Sequence, residues 1–354
     1  MSSVPKEGPV KGRGASYNPP NRFETLAYVP DPDIPDDEQP SPRTQFIRDA
    51  SRSIIARNDS PDVWFDVSIN PYRGCEHGCI YCYARPTHEY LGFSAGLDFE
   101  TRILVKEDAP ELLREELSSP KWKPQVLVLS GVTDPYQPIE NKLKITRRCL
   151  EVLEEFRNPA GIITKNHLVT RDIDILKKLA AINAVRVSVS VTTLDPDLAR
   201  IMEPRTSTPE RRLAAIQQLA EAGIPVGVNV APIVPALTDH EIPAIVSAAV
   251  KAGAKHAGFI VMRLPYAVSD LFEQWLTDHF PDRKKKILSH IRDLRGGKLN
   301  DPRFKSRMKG EGVYADQIKS LFKLACKKAG LTNDIQPLST DAFRRVTDQP
   351  SLFD

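Results

Sequence analysis

Short, nearly continuous apolar runs recur along the chain, and each is followed by a stretch whose apolar residues return at helical spacing. QVLVLSG (125–131) precedes IENKLKITRRCLEVLEEF (139–156), and GIITKN (161–166) precedes DIDILKKLAA. VRVSVSVTT (185–193) leads to PERRLAAIQQLAEAG (209–223), PVGVNVAPIV (225–234) to HEIPAIVSAAVKAG (240–253), and HAGFIVMRL (256–264) to LFEQWLTDHF. Val67-Ser68-Ile69 opens the series, and a further strand over 99–105 followed by a helix over 109–117 is expected. Strand-length runs separated by helices of ten or more residues predict βα units on a parallel sheet. Roughly six such units, with no Gly-x-Gly-x-x-Gly after the first strand, favour an α/β fold of the partial (β/α)6 TIM type over a dinucleotide-binding sheet.

Outside this series the pattern weakens. Residues 1–45 are rich in proline and poor in periodicity, so they read as an unstructured tail, with SYNPPNRFE (Tyr17, Phe23) as the piece able to lie against the body. The barrel core is expected over 46–265, a helical and basic extension over 266–338, and a second tail over 339–354. Within the extension, YADQIKSLFKLACKKAGL (314–331) has the spacing of a packed helix. No run reaches the roughly 18 apolar residues of a membrane span, and MSSVPKEGPVKGRG lacks the apolar centre of a signal peptide. A cytoplasmic, reducing location with no membrane partner is therefore expected.

Chemistry enters with NPYRGCEHGCIYCYARP (70–86), which gathers Cys75, Cys79 and Cys82 where the first strand stops. In a barrel that end is where active sites collect. In a reducing compartment clustered cysteines serve as metal ligands or catalysts rather than disulfides, and five cysteines in all agrees. A closed zinc site wants four ligands; here the fourth would be His77, His88 or a distant group. Three thiolates on a four-iron cluster instead leave one iron open to bind a ligand directly. Gly74 and Gly78 let the loop turn tightly.

Cys-x3-Cys-x2-Cys with Tyr81 just before the last cysteine resembles the signature of the radical S-adenosylmethionine (SAM) superfamily. The resemblance implies a [4Fe-4S] cluster on Cys75, Cys79 and Cys82, with SAM on the open iron and Tyr81 beside its adenine. It also implies reductive cleavage of SAM to a 5′-deoxyadenosyl radical. The other groups of SAM need partners, and the strand ends offer them. Ser130, Thr133 and Asp134 suit the ammonium, against the alternative that TDPYQP is a turn capped by Asp134. Lys165 suits the carboxylate. Ser188, Ser190 and Thr192 share one strand face and suit ribose hydroxyls. Arg205 can clamp a carboxylate, and Asn229 ends the fifth strand. Arg73 and His77 are candidate donors to cluster sulfurs, with a solvent-facing His77 as the plainer reading.

CIYCY, ITK, EPRTSTPERRLAA and APIV further resemble, in order and spacing, motifs of the spore photoproduct lyase branch. The stretch from NPYRGC to ILVK is similar to a bacterial group of SplB-like radical SAM proteins of unassigned reaction. That group also shares GRG…NPPNRFE and DPRFKSRMKGEG. One departure stands out. The lyase places a hydrogen-donating cysteine at the end of its second strand, whereas 129–138 reads LSGVTDPYQP. Cys149 and Cys326 sit at apolar helical positions and read as core.

The net charge of +3 is too small to indicate nucleic acid by itself. The segment 283–309 is strongly basic, however, and is a candidate for tracking a phosphate backbone, a solvated face, or a lid built on Arg303, Phe304, Arg307 and Met308. The implied partners are a nucleic-acid substrate and an electron donor of the flavodoxin or ferredoxin type. The alternative from a different class is a zinc-stabilised nucleic-acid-binding protein without catalysis.

Overall fold

In a computed structural model that describes residues 8–24, 43–332 and 335–346, the predicted βα series forms one sheet. The strands in chain order are β1 (Gln45–Arg48), β2 (Ile55–Arg57), β3 (Val67–Ile69), β4 (Tyr72–Arg73), β5 (Arg102–Val105), β6 (Leu127–Leu129), β7 (Ala160–Thr164), β8 (Val185–Ser190), β9 (Val226–Ile233) and β10 (His256–Val261). The main sheet has the order β10-β9-β8-β7-β6-β3-β2. Its six strands from β3 to β10 are mutually parallel, and β2 adds an antiparallel edge beside β3. Among the described residues β10 pairs only with β9, so the barrel is partial, as expected. A small second sheet of order β1-β5-β4 flanks the first strand.

The alternation within β8 shows how sequence sets the two faces. Val185, Val187 and Val189 are buried in the apolar core, while Ser188 and Ser190 occupy the opposite face. The covering helices are amphipathic. In Ile145–Phe156, for example, Ile145, Cys149, Leu150, Val152, Leu153 and Phe156 are all buried. Cys149 and Cys326 are core residues, as their spacing indicated. The helices Val268–His279, Lys284–Asp293, Ser306–Lys309 and Val313–Lys328 form the C-terminal extension. The last of them sets Phe322 against Phe259 of β10, with ring centroids 4.6 Å apart. None of the described helices is long and apolar enough to cross a membrane.

Four expectations need correction. Residues 97–101 form a short helix, and only Arg102–Val105 is a strand, belonging to the small sheet. The helix read over 139–156 breaks at Lys144, whose φ is +55°. Glu140 causes the restart: its carboxylate accepts the amides of Thr146 at 3.0 Å and Arg147 at 3.3 Å, capping the second piece. The unstructured tail over 1–45 is wrong for residues 8–15, where Ala15 is buried, whereas SYNPPNRFE lies against the body as expected; residues 1–7 and 25–42 lie outside the described residues. The C-terminal tail is likewise wrong for residues 339–346. The amides of Ser339 and Arg344 bond the carbonyls of Asn183 and Phe156, and the ring of Phe343 lies 6.4 Å from that of Phe156.

Phe156 thus holds both the second βα unit and the C-terminal segment. Phe156→Ala is expected to lower the unfolding free energy by about 3–5 kcal/mol. The measure is a lower urea midpoint at unchanged slope. A loss below about 1 kcal/mol would put this ring outside the core.

Candidate metal and cofactor centre

The cysteine loop is built around two glycines and one arginine. Gly74 and Gly78 have φ of +80° and +66°, the left-handed region that other residues rarely adopt. A Cβ on Gly78 would also lie 2.7 Å from the carboxylate of Glu100. Cys75 and Cys79 are buried and Cys82 half-buried. The fully buried Arg85 then fastens the loop from beneath. Its Nε donates to the carbonyl of Cys79 at 3.0 Å and one terminal nitrogen to that of Gly78 at 3.1 Å. The same nitrogen pairs with Glu100 at 2.6 Å, and the other reaches the carbonyls of Ala95 and Gly96.

Glu100 is in turn held by the N-terminal segment, since its carboxylate accepts the amides of Gly14 at 3.0 Å and Ala15 at 2.8 Å. A Cβ on Gly14 would sit 1.8 Å from the carbonyl oxygen of Gly78, so this segment lies directly on the loop. Asn18 and Asp98 exchange two hydrogen bonds farther along. Residues 8–24 are a strap across the cysteine loop.

On the barrel side, Tyr81 leaves the loop and donates its hydroxyl to Glu203. Glu203 is a buried hub. It accepts from Thr192 Oγ1 at 2.7 Å, pairs with Lys165 Nζ at 3.1 Å, and is clasped by the buried Arg212, which also bonds the carbonyl of Ser190. Lys165 Nζ further donates to Thr192 Oγ1 at 3.0 Å and to the carbonyl of Ala231 at 2.8 Å, and lies 5.7 Å from the centre of the Tyr81 ring. Burial and the neighbouring Arg212 push Lys165 down to about 7. Burial keeps Glu203 above the usual carboxylate range, with Arg212 opposing.

The candidates from the sequence therefore divide. Tyr81 and Lys165 meet in this network, with Ser190 beside Asn229 in the adjacent register of β8 and β9, and Ser188 deeper on the same face. Ser130, at the end of β6, takes a φ of 147°. Thr133 is already bound to the carbonyl of Gly74 at 2.8 Å, so it braces the loop from below. Asp134 accepts from Thr164 Oγ1 at 2.7 Å and from the amides of Tyr136 and Lys165. The His77 ring also faces it at 3.4 Å, so the capped-turn reading is the one the geometry follows. Arg205 pairs with Glu76 at 3.0 Å and reaches Thr44, on the outer flank of the loop. Arg73 turns to Asp49 and Ser51, away from the thiols.

His77 is not solvent-facing. It is buried between Asp134 and Asn166; burial opposes its charge, but Asp134 and Cys75 prevail and raise it to about 10. The basic segment is also partly spent. Arg295 is buried on the carbonyls of Val261, Met262 and Ser306, Arg303 pairs with Asp301 and Glu311, and Arg307 with Asp62. Arg85, Glu100 and Glu203 were missed by the sequence reading. The only signal for Glu203 was its place in EPRTSTPE, ahead of the helix that carries Arg212.

The sequence profile of the Radical SAM superfamily matches residues 69–249, half of the chain. The chain belongs to the radical SAM superfamily. An uncharacterized protein of Mycobacterium tuberculosis, Rv2578c, is 35% identical over 248 residues, which cover 69% of this chain and 72% of that one. An uncharacterized protein of Methanocaldococcus jannaschii, MJ0683, is 33% identical over 173 residues, covering 49% and 62%. Among solved structures the chain is similar in fold to spore photoproduct lyase complexed with dinucleoside spore photoproduct. The TM-score is 0.58 at 17% identity, over 80% of this chain and 79% of that one.

A radical SAM chain implies SAM and an iron–sulfur cluster, and the donors fit such a group. Burial, then Glu203, holds the Cys79 thiol well above its ordinary range; burial and Cys75 push Cys82 up to about 11. Lys165 draws both down, and Arg85 draws Cys82 down, so the fixed cations lie where thiolates would need them. Among the described residues no group of three or more His, Cys, Asp and Glu is arranged to hold a single metal ion.

Arg85→Met leaves Glu100 as an unpaired buried charge, so a loss of about 3–5 kcal/mol is expected. Iron bound after anaerobic reconstitution should fall with it, whereas Arg85→Lys should keep part of both. Gly14→Val should lift the strap, raising hydrogen exchange at residues 76–80 and speeding iron loss. Unchanged exchange there would mean that the strap does not support the loop.

Proposed function

We propose that the protein is a SAM-cleaving radical enzyme in which Cys75, Cys79 and Cys82 hold a [4Fe-4S] cluster with one open iron. What carries this reading is the radical SAM match together with the placement of the loop that bears Cys75, Cys79 and Cys82, braced by Arg85 and joined through Tyr81 to the Glu203–Lys165–Thr192 network. When bound, the reduced cluster supplies the electron that cleaves SAM to methionine and a 5′-deoxyadenosyl radical. The protein's own residues bind and orient. Lys165 offers a cation at the barrel mouth, Tyr81 a ring face beside the last ligand, and Ser190 and Asn229 polar groups below them. Glu203 fixes both Tyr81 and Lys165, so the site is preorganised before a ligand arrives.

A nucleic acid is the substrate class favoured here, supported by the SplB-like motifs and by Lys285, Lys286, Lys298, Lys305 and Lys309, which stay exposed on the extension. The segment 129–138 has no cysteine, so the hydrogen-donating step of the lyase is not carried over. Zinc-stabilised binding without catalysis is the weaker reading, because the family match over residues 69–249 is to the radical SAM superfamily.

Anaerobic reconstitution, reduction with dithionite and addition of SAM should give 5′-deoxyadenosine, measured by chromatography. Cys79→Ala should remove iron and product together. Lys165→Met should keep the iron but weaken SAM binding about 10–100-fold, the worth of a charged hydrogen bond. A fully loaded, reduced protein that makes no deoxyadenosine, with or without oligonucleotide, would refute the reading.

A further inference from the structure

Six arginines lie between positions 260 and 310, and five of them have acceptors. Arg283 donates to the carbonyl of Ala236, and Arg292 pairs with Glu273 at 3.8 Å. Arg295, Arg303 and Arg307 are matched by carbonyls, by Asp301 with Glu311, and by Asp62. Arg263 is the exception. It is half-buried, yet among the described residues it makes no hydrogen bond or ion pair. Its guanidinium lies instead over the exposed ring of Tyr83, 4.9 Å from the ring centre. None of its nitrogens is sealed from solvent, so a ligand can reach them.

The backbone explains why this side chain is left over. Its neighbours Met262 and Leu264 turn into the apolar cluster around the helix Val268–His279. Both are also tied to the extension, Met262 by Arg295 on its carbonyl and Leu264 by its amide on the carbonyl of Leu299. Arg263, between them, points the other way, just past the C-terminal end of β10. Tyr83 follows Cys82 and donates its hydroxyl to the carbonyl of Gly131, just past β6. The Tyr83–Arg263 pair therefore spans the barrel mouth from the β6 side to the β10 side. Burial lowers the Arg263 pKa from its ordinary value; Tyr83 opposes this, Arg307 adds to it and Asp62 opposes it. A half-buried cation without a paired counter-charge favours an anionic ligand.

We propose that Arg263 anchors one backbone phosphate of a nucleic-acid substrate at the barrel mouth, with the Tyr83 ring holding the guanidinium flat for a two-pronged contact. The proposal rests on the nucleic-acid reading above and gives it a fixed point. The exposed lysines of the extension supply diffuse attraction. Arg263 differs from them, because the ring behind it limits its rotamers and its planar fork matches two phosphate oxygens. Phosphate contacts set the register of a strand rather than read its sequence. Because Tyr83 adjoins Cys82, a phosphate held on Arg263 sets which nucleotide comes nearest the cysteine loop.

The test follows the fluorescence anisotropy of a labelled single-stranded DNA oligonucleotide on the reconstituted holoprotein, without reductant, across a range of salt concentrations. Arg263→Gln should weaken binding about tenfold and reduce the salt slope by about one. Arg263→Lys should keep the slope but lose part of the affinity, since an ammonium cannot make the two-pronged contact. An uncharged methylphosphonate oligonucleotide of the same sequence should separate parent from Arg263→Gln by no more than about twofold. A tenfold gap persisting on that probe would assign Arg263 to the bases and overturn the proposal. Unchanged affinity and slope in Arg263→Gln would overturn it too, as would an equal loss of SAM affinity, which would place Arg263 with the cofactor. If Arg263→Gln does not retain iron, Arg263→Lys decides, and parent-like affinity there overturns the proposal. A parent that binds no oligonucleotide would sink the nucleic-acid reading together with this anchor. Failure to make deoxyadenosine would refute the catalytic reading and leave these binding measurements standing.

Discussion

A guanidinium sealed from water can persist only if every donor finds an acceptor, and Arg85 meets that condition with the cysteine loop itself. Its donors reach the carbonyls of Gly78, Cys79, Ala95 and Gly96 and the carboxylate of Glu100. Neither charge of this pair could be buried alone without a penalty of several kcal/mol. Burying them together is possible because the loop supplies the remaining acceptors. Ordering the ion pair and ordering the loop are therefore one event. The strap enters the same event, because Glu100 needs the amides of Gly14 and Ala15 to satisfy its other lone pairs.

Glu203 plays the matching part on the barrel side. Through it the loop, by Tyr81, is tied to β7 by Lys165, to the end of β8 by Thr192, and to the helix Pro209–Glu221 by Arg212. These groups come from four separate places in the chain, and parallel register alone brings strand ends together without fixing side chains to within a hydrogen bond. A fully satisfied polar network does fix them, because an alternative rotamer would leave a buried charge without a partner. The site is rigid for the same reason that it is buried.

Much of this was legible in advance, and the rest was hidden for a definite reason. The βα series showed because apolar periodicity records burial, and the thiols showed because cysteine is rare here and its spacing is short. Of the strap, only SYNPPNRFE showed. Residues 8–24 contain few apolar groups, and they are ordered by amides on Glu100 and by the Asn18–Asp98 exchange, which leave no periodic trace. Glu100 was concealed inside what read as a strand. The basic segment misled in the opposite sense: Arg307 meets Asp62 across 245 positions of sequence, so counting charge along the chain overstated how much is free.

The same accounting of charge bears on how the metal centre assembles. Lys165 and Arg85 favour the thiolates, but both are also paired, with Glu203 and Glu100, and burial of the thiols outweighs them. Without metal, then, burial keeps Cys79 and Cys82 protonated, and the compensating charge must arrive with the iron. Cluster formation releases protons and grows more favourable as pH rises towards the thiol range. The loop also has supports that are not metal: Arg85 holds it through carbonyls, and Gly74 and Gly78 set its turns. These bonds need no ligand to be satisfied, because every donor of Arg85 already has an acceptor in the protein.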